Sequence, residues 1–295
     1  MWKFHFITLL LSGLVLPSFA QEANHYRVDK NKNVEALNFT LTAASGSCII
    51  KPSSSNHPVN IFGNPENDKV TPTFKTWMEK DIQQVSFVLQ QNEPGIGRKL
   101  SYSVFNDDTE AEENNWHIYI ADFLPIFLNL NYGIGKADVD LSGLAIKEIK
   151  INTGSADVNL SYVSGEMNKI EMDTFMVTVD MGTLRFDRVN HSRAKNIIAE
   201  VGFGSLYLDL SAQNQNKSHI SASVGAGNLE VKIPDKDIPM VIYINDSPLC
   251  RIDLCSNFKE ISPNVFANES YSKNAPNLLT FKLDVALGKI SFVTK

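Results

Sequence analysis

The residues with most chemical potential are carboxylates that recur at one place in a repeated pattern. Asp140, Asn159, Asp187 and Asp209 each lie towards the end of an alternating segment. If those segments stack, the four share one exposed face. Carboxylates on successive strands can perform acid/base chemistry on sugars or bind a hard cation through oxygen. Held about 5 Å apart, they also raise one another's pKa. Only Arg185 and Arg188 flank them closely, a meagre supply of charge for stabilising a developing anion. A solvated face explains such alternation without catalysis, and that is the reading adopted here. No catalytic residue, cofactor or metal ligand is expected.

Other constellations carry less. The run Asp107-Asp108-Thr109-Glu110-Ala111-Glu112-Glu113 lacks the glycine and ligand spacing of a calcium loop and reads as solvated chain. His25, His57, His117, His191 and His219 are scattered and unpaired with cysteine, against a zinc site. Neither a Gly-x-Ser-x-Gly elbow nor a His-Glu-x-x-His pair occurs, so serine hydrolases and zinc proteases lack their basic parts. Gly202-Phe203-Gly204 and Gly225-Ala226-Gly227 suggest phosphate loops, but a third glycine and a following helix are missing. Cys250 and Cys255 could close a short disulfide loop worth roughly 2 kcal/mol. Cys48, at an apolar position in Gly46-Ser47-Cys48-Ile49-Ile50, reads as a buried small hydrophobe.

What must position these residues is a recurring pattern: a glycine, a small polar residue, then apolar residues at alternate positions. It reads Gly135-Lys136-Ala137-Asp138-Val139-Asp140-Leu141, then Gly154-Ser155-Ala156-Asp157-Val158-Asn159-Leu160. Gly182, Gly204, Gly227 and Gly288 open four more copies, and through the middle run the glycines recur every 19 to 28 residues. Such periods signal a stacked array. Side chains on a strand alternate between faces. Aligned on the glycines, Ala137, Ala156, Leu184, Leu206, Leu229 and Ile290 fall in one column, and Val139, Val158, Phe186, Leu208, Val231 and Phe292 in another. Second strands follow in the copies at 146–151, 169–172, 197–201 and 219–224. The expected fold class is all-β: a β-solenoid of short stacked strands, either-handed, whose glycines make corners needing positive φ or close backbone approach. An up-and-down meander also alternates, but has no reason to keep glycines and apolar columns in register.

The ends and intervals set the organisation. Lys3, an apolar run over 6–16, Pro17 and Ser18-Phe19-Ala20 read as a cleaved export signal over residues 1–20. That run is too short to span about 30 Å of hydrocarbon. A loose lead-in is expected over 21–33, an N-terminal β region over 34–130, and the repeats over 131–295 with a turn-rich excursion at 234–276. Strands at 85–89 and 100–105 would pair around Pro94-Gly95-Ile96-Gly97, and 77–84 has a short helical reading.

The repeats resemble the bacterial putative-adhesin and head-domain β-solenoid family, and are similar to the extracellular part of cell-wall-active antibiotic response proteins. The resemblance rests on Val201-Gly202-Phe203-Gly204-Ser205-Leu206 and Val224-Gly225-Ala226-Gly227-Asn228-Leu229, with weaker matches at Tyr132-Gly133-Ile134-Gly135 and Asn152-Thr153-Gly154. It implies shape and envelope location, and brings no catalytic set. With a net charge of −6 and no basic stripe, nucleic acid is a poor partner. The function expected is a secreted, non-catalytic cell-envelope or adhesin-like binding or structural module. It would be periplasmic, surface-bound or extracellular, without a transmembrane span once mature. Its partner would be an envelope component, polysaccharide or protein. The alternatives are a carbohydrate-active β-helix enzyme using Asp140, Asp187 and Asp209, and an envelope-stress accessory protein docking a membrane partner.

Overall fold

The computed structural model describes residues 24–63, 70–91, 115–212, 216–234, 238–246 and 248–294. The export signal, the acidic run 107–113, the strand at 100–105 and the turn at 94–97 lie outside the described residues.

Alternation makes the strands. In Ala36–Ala43, Leu37, Phe39, Leu41 and Ala43 are buried while Asn38, Thr40 and Thr42 between them are not, the period of two that a pleated strand imposes. The chain first lays down β1 (Asn24–Val28), β2 (Ala36–Ala43), β3 (Ser47–Ser53), β4 (Val59–Gly63), β5 (Val70–Glu79), β6 (Ile82–Gln91) and β7 (Asn115–Ala121). A regular series follows: β8 (Pro125–Tyr132), β9 (Lys136–Asp140), β10 (Ala145–Thr153), β11 (Asp157–Ser161) and β12 (Met172–Val179). It continues through β13 (Thr183–Phe186), β14 (Ala194–Val201), β15 (Ser205–Asp209), β16 (Ser218–Val224) and β17 (Asn228–Ile233). The last strands are β18 (Met240–Asp246), β19 (Arg251–Asp253), β20 (Phe258–Ser262), β21 (Val265–Asn268), β22 (Leu279–Val285) and β23 (Lys289–Thr294).

Among the described residues these strands form two long sheets. The first has 11 strands in the order β1-β4-β7-β3-β9-β11-β13-β15-β17-β23-β19; the second has 12, β20-β21-β18-β22-β16-β14-β12-β10-β8-β2-β6-β5. From β8 to β17 the chain changes sheet at every strand. Each strand from β10 to β15 pairs in parallel with the strands two before and two after it, stacked like the coils of a solenoid. Both ends break this order. The pair β2/β3 lies inside β6/β7, and β22/β23 lies inside β18/β19. Antiparallel strands cover the termini: β1 and β4 beyond β7, β5 beyond β6, and the β20–β21 hairpin beyond β18. Such covers blunt edges that would otherwise recruit other chains.

One continuous apolar core runs between the sheets from Val28 to Phe292, and Phe39, Phe87, Phe175, Phe186 and Phe281 are wholly buried in it. Because β8 runs across position 130 and both sheets continue through it, the first hundred residues and the repeats share this core. Segment 77–84 is not helical: it is the turn of the β5–β6 hairpin, with Lys80 at φ 57. Nor is the lead-in loose throughout, since β1 pairs with β4. The interval 234–276 holds four strands, two of which extend the stack by a coil.

The ladders correct the alignment of the repeats. Ala137 pairs with Val158 and Val139 with Leu160, two residues out of the glycine register. Ala156, not Gly154, therefore stacks on Gly135. The next step is out of the glycine register by two residues in the opposite sense, with Val158 on Leu184 and Leu160 on Phe186; beyond it the columns run as aligned, Leu184–Leu206–Leu229–Ile290 and Phe186–Leu208–Val231–Phe292. A Cβ on Gly182, Gly204, Gly227 or Gly288 would sit 2.1 to 2.4 Å from the carbonyl oxygen of the coil beneath. Close approach excludes a side chain there. Gly135 differs in also needing positive φ, at 120°. Gly154 stacks instead on Gly133, in a second glycine column that continues through Gly202 and Gly225.

Candidate functional site

The acidic residues lie on the outer face of the first sheet, but not as one column. Asp140 lies level with Ser161 and Asp209 with Lys232. The β13–β15 offset, carried one residue past Phe186–Leu208, sets Asp187 level with Asp209. Ser161 thus separates Asp140 from Asp187. Asn159 belongs to the neighbouring column, where its Nδ2 donates to Asp138 Oδ1 at 2.9 Å. The two-residue register shift of the first repeats accounts for this difference.

Two of the three aspartates are tied into corners. Asp140 Oδ1 accepts from Ser142 N at 3.0 Å, Ser142 Oγ at 2.6 Å and Val163 N at 3.2 Å. Asp209 accepts from Ser211 N at 2.8 Å and from Lys232 Nζ at 3.2 Å. Burial pushes the Asp209 carboxyl up, but hydrogen bonds from Ser211 and the Lys232 ammonium outweigh it and hold the group below the usual range. Mutual repulsion between carboxylates would have the opposite sign. Asp187 stands exposed.

Cys250 and Cys255 are free thiols, not the bonded pair their spacing permits. Between them β19 is extended against β23; three strand residues span about 10 Å, beyond the Cα separation of about 7 Å that a disulfide tolerates. Cys255 Sγ instead lies 2.9 Å from Phe292 O. Cys48 is fully buried, and burial lifts its thiol to about 12. Among the described residues no three of His, Cys, Asp and Glu gather as a metal site.

A trough of about 480 Å³ lies on the outer face of the second sheet. Strands β14, β16, β22 and β18 lie side by side there. Their ladders set two rows across the face: Ile198–Ser221–Lys282–Tyr243 and Glu200–Ser223–Asp284–Asn245. Short serines on β16 leave the floor low between Ile198 and Glu200 on one side and the longer side chains of β22 and β18 on the other. Tyr243 is 41% exposed, and Asn245 Nδ2 donates to Asp284 Oδ2 at 3.3 Å. The sequence reading missed this surface, because β18 falls in the interval taken as an excursion. Its signal was present: Met240, Ile242 and Ile244 alternate with Val241, Tyr243 and Asn245.

A second recess, lined by Pro125, Phe127, Lys147, Glu171 and Lys195, spends its charges internally. Lys147 Nζ reaches Asp173 at 2.8 Å, and Lys195 lies 3.4 Å from both Glu171 and Asp173. The hydrogen bond from Lys147 is the main reason the Asp173 carboxyl lies below its ordinary value.

Fold and surface together define an all-β protein of two long, mainly parallel sheets with outward-facing recesses. The chain belongs to the family of the N-terminal domain of toast_rack, DUF2154, which matches residues 20–183, more than half of the sequence. Among curated proteins, none matches. Three solved structures are similar across their lengths. A putative cell adhesion protein from Clostridium sporogenes is 16% identical with a TM-score of 0.44, covering 93% of this chain and 99% of its own. A putative adhesin from Bacteroides fragilis is 13% identical with a TM-score of 0.38, covering 94% and 99%. A putative lipid binding protein from Parabacteroides distasonis is 9% identical with a TM-score of 0.35, covering 92% and 96%. At these values the likeness extends to neither function nor ligand.

Proposed function

We infer that the protein is an exported, non-catalytic β-solenoid of the cell envelope that binds a polysaccharide on the outer face of its second sheet. The trough beside Tyr243 carries this reading. A half-exposed phenol ring offers an apolar platform with a polar edge. Glu200, Ser221, Ser223, Asn245 and Asp284 surround it with hydroxyl, amide and carboxylate groups suited to sugar hydroxyls. Export rests on the composition of residues 1–20. The absence of catalysis is supported by the corner bonds of Asp140 and Asp209, which commit those carboxylates to holding turns.

The test is binding to a panel of cell-wall polysaccharides by affinity electrophoresis. Tyr243→Ala should weaken retention about tenfold, in line with losing one exposed ring contact, and Asp187→Asn with Asp209→Asn should leave it unchanged. No turnover of uronic-acid polymers should appear. Retention insensitive to Tyr243→Ala would remove the trough reading, and release of reducing ends lost in the double variant would favour the enzyme.

A further inference from the structure

A strand that covers the end of a sheet carries a free edge of its own. Among the described residues the two sheets end on β1, β19, β20 and β5. Three of these edges are blunted in ways that discourage pairing. β1 has five residues and β19 three, while β20 carries Lys259 and Glu260 and loses register with β21 before Ser262. β5 differs: its ten residues pair with β6 in unbroken register. The direction of its backbone groups follows from the far side of β6. There Glu35 N donates to Asp81 O and Ala44 N to Leu89 O, so odd-numbered residues of β6 face β2 and even-numbered ones face β5. The even-numbered ones pair with odd-numbered residues of β5. Phe74, Thr76 and Met78 therefore turn their N–H and C=O groups to the open side, where no strand among the described residues meets them. Pro72 has no N–H to offer, which confines a usable edge to the C-terminal half. There residues 75–79 are all exposed, with Trp77 at 50% and Met78 at 38%.

We propose that β5 is a self-association edge, through which two copies of this chain join antiparallel about a two-fold axis at Trp77. The proposal is independent of the trough, which lies towards the opposite end of the same sheet. A row of free backbone groups is satisfied by another strand, and three observations identify that strand as a second β5. First, the exposed window 75–79 is centred on Trp77, so a copy in this register covers it from end to end. Second, the charges complement each other. The register sets Lys75 opposite Glu79 of the second copy at both ends of the window, and neither group has a partner among the described residues. Opposite charges facing across strands stabilise a pair, and like charges destabilise it. Third, each face finds matching side chains. On the outer face the two Trp77 rings meet at a pair without backbone bonds, where strands bring side chains closest, with Cα atoms about 4.5 Å apart. On the core side each Met78 lies against Thr76 of the copy, and these two residues exchange their backbone hydrogen bonds in both pairs. An isologous contact of this kind closes at two copies. It is narrower than a standard interface, so the dimer should form and dissociate with concentration.

The test is analytical ultracentrifugation of the chain from Gln21 onward, which holds every described residue, at low salt and from micromolar to millimolar concentration. Wild type should pass from monomer to dimer across that range. Trp77→Ala should raise the dissociation constant about tenfold or more, as loss of a central aromatic contact does. Lys75→Glu sets like charges opposite each other in both end pairs, and Glu79→Lys does so with the other sign, so each variant alone should stay monomeric. An equimolar mixture of the two should dimerise, because both end pairs then join opposite charges. Damage to the fold could not produce that recovery. Hydrogen exchange supplies a second readout: the Thr76 and Met78 amides should exchange freely in dilute protein and slow as the dimer forms. Wild type monomeric at every concentration would overturn the proposal. So would a dimer that both single variants retain, or a mixture that fails to recover it. Thr76 and Met78 amides already slow in the monomer would assign the edge to the chain's own residues and equally refute it.

Discussion

Replacing Gly204 by alanine tests the stacking geometry of the inner glycine column. A Cβ there would lie 2.4 Å from Gly182 O, 2.6 Å from Val179 Cγ1 and 3.1 Å from the carbonyl carbon of Met181. The nearest atom is backbone, and it is already committed: Gly182 O accepts from Ser205 N at 3.0 Å. Making room means opening the ladder. Overpacking costs about 1–3 kcal/mol and a strained hydrogen bond about 1 more, while the stiffer unfolded chain returns about 0.4–1. The net is a loss of about 1–3.5 kcal/mol. Gly225 is the internal control. Its Cβ would meet Gly202 O at 3.1 Å and Val201 O at 3.5 Å, a clash relieved by a few tenths of an ångström. Gly225→Ala should therefore stay within about 0.5 kcal/mol of wild type. For a chain of this size each kcal/mol shifts Tm by about 2–4 °C. Calorimetry should then show Gly204→Ala melting roughly 2–14 °C below Gly225→Ala. Equal melting of the two variants would refute close approach as the reason for the inner glycine column.

Leu208 is buried between the sheets, so Leu208→Ala should cost about 2–5 kcal/mol by denaturant titration; a loss under 1 would contradict the inside-outside assignment. The Asp209 carboxyl is held below its usual range, so its contribution is full above about pH 4, the unfolded value, and disappears as pH falls through the folded one. Asp209→Asn should consequently flatten the acid limb of the stability curve, and an unchanged limb would sink the Ser211 and Lys232 argument. In native protein Cys250, part exposed, should react with a thiol reagent, whereas Cys48 should react only on unfolding. Mass spectrometry showing fast native labelling of Cys48 would contradict its burial.

The parts of the structure legible in the sequence are those whose cause is local. Alternation in the β9 to β17 series follows from the pleat, and the inner glycines follow from coil-to-coil contact, so both leave marks at fixed positions. Gly154 misled because each corner has two small positions, two residues apart. A repeat keeping glycine at the outer one and alanine at the inner one aligns out of register. That slip also placed Asn159 beside Asp140. The β5 edge strand was missed for a different reason. Residues 75–79 are exposed along their whole length, so no buried face imposes an alternating pattern on them. The trough depends on pairings between distant segments. Tyr243 and Ser221 share a face because β22 is inserted between them, and no local pattern encodes an insertion.

That inserted strand pair has a consequence for how the chain can be completed. In the native arrangement the inner edge of β18 has no parallel partner until Leu279–Val285 has been made, although some thirty residues of chain intervene. The final segment is therefore a latch driven between two layers. Removing it would open an internal gap, with the outermost coil left beyond it. At the opposite end β2 and β3 are likewise enclosed by later strands. A stack closed in this way cannot lengthen or shorten by adding or losing its last unit. Duplications can be absorbed only in the sequential stretch between β8 and β17, so the span of the molecule is set from within.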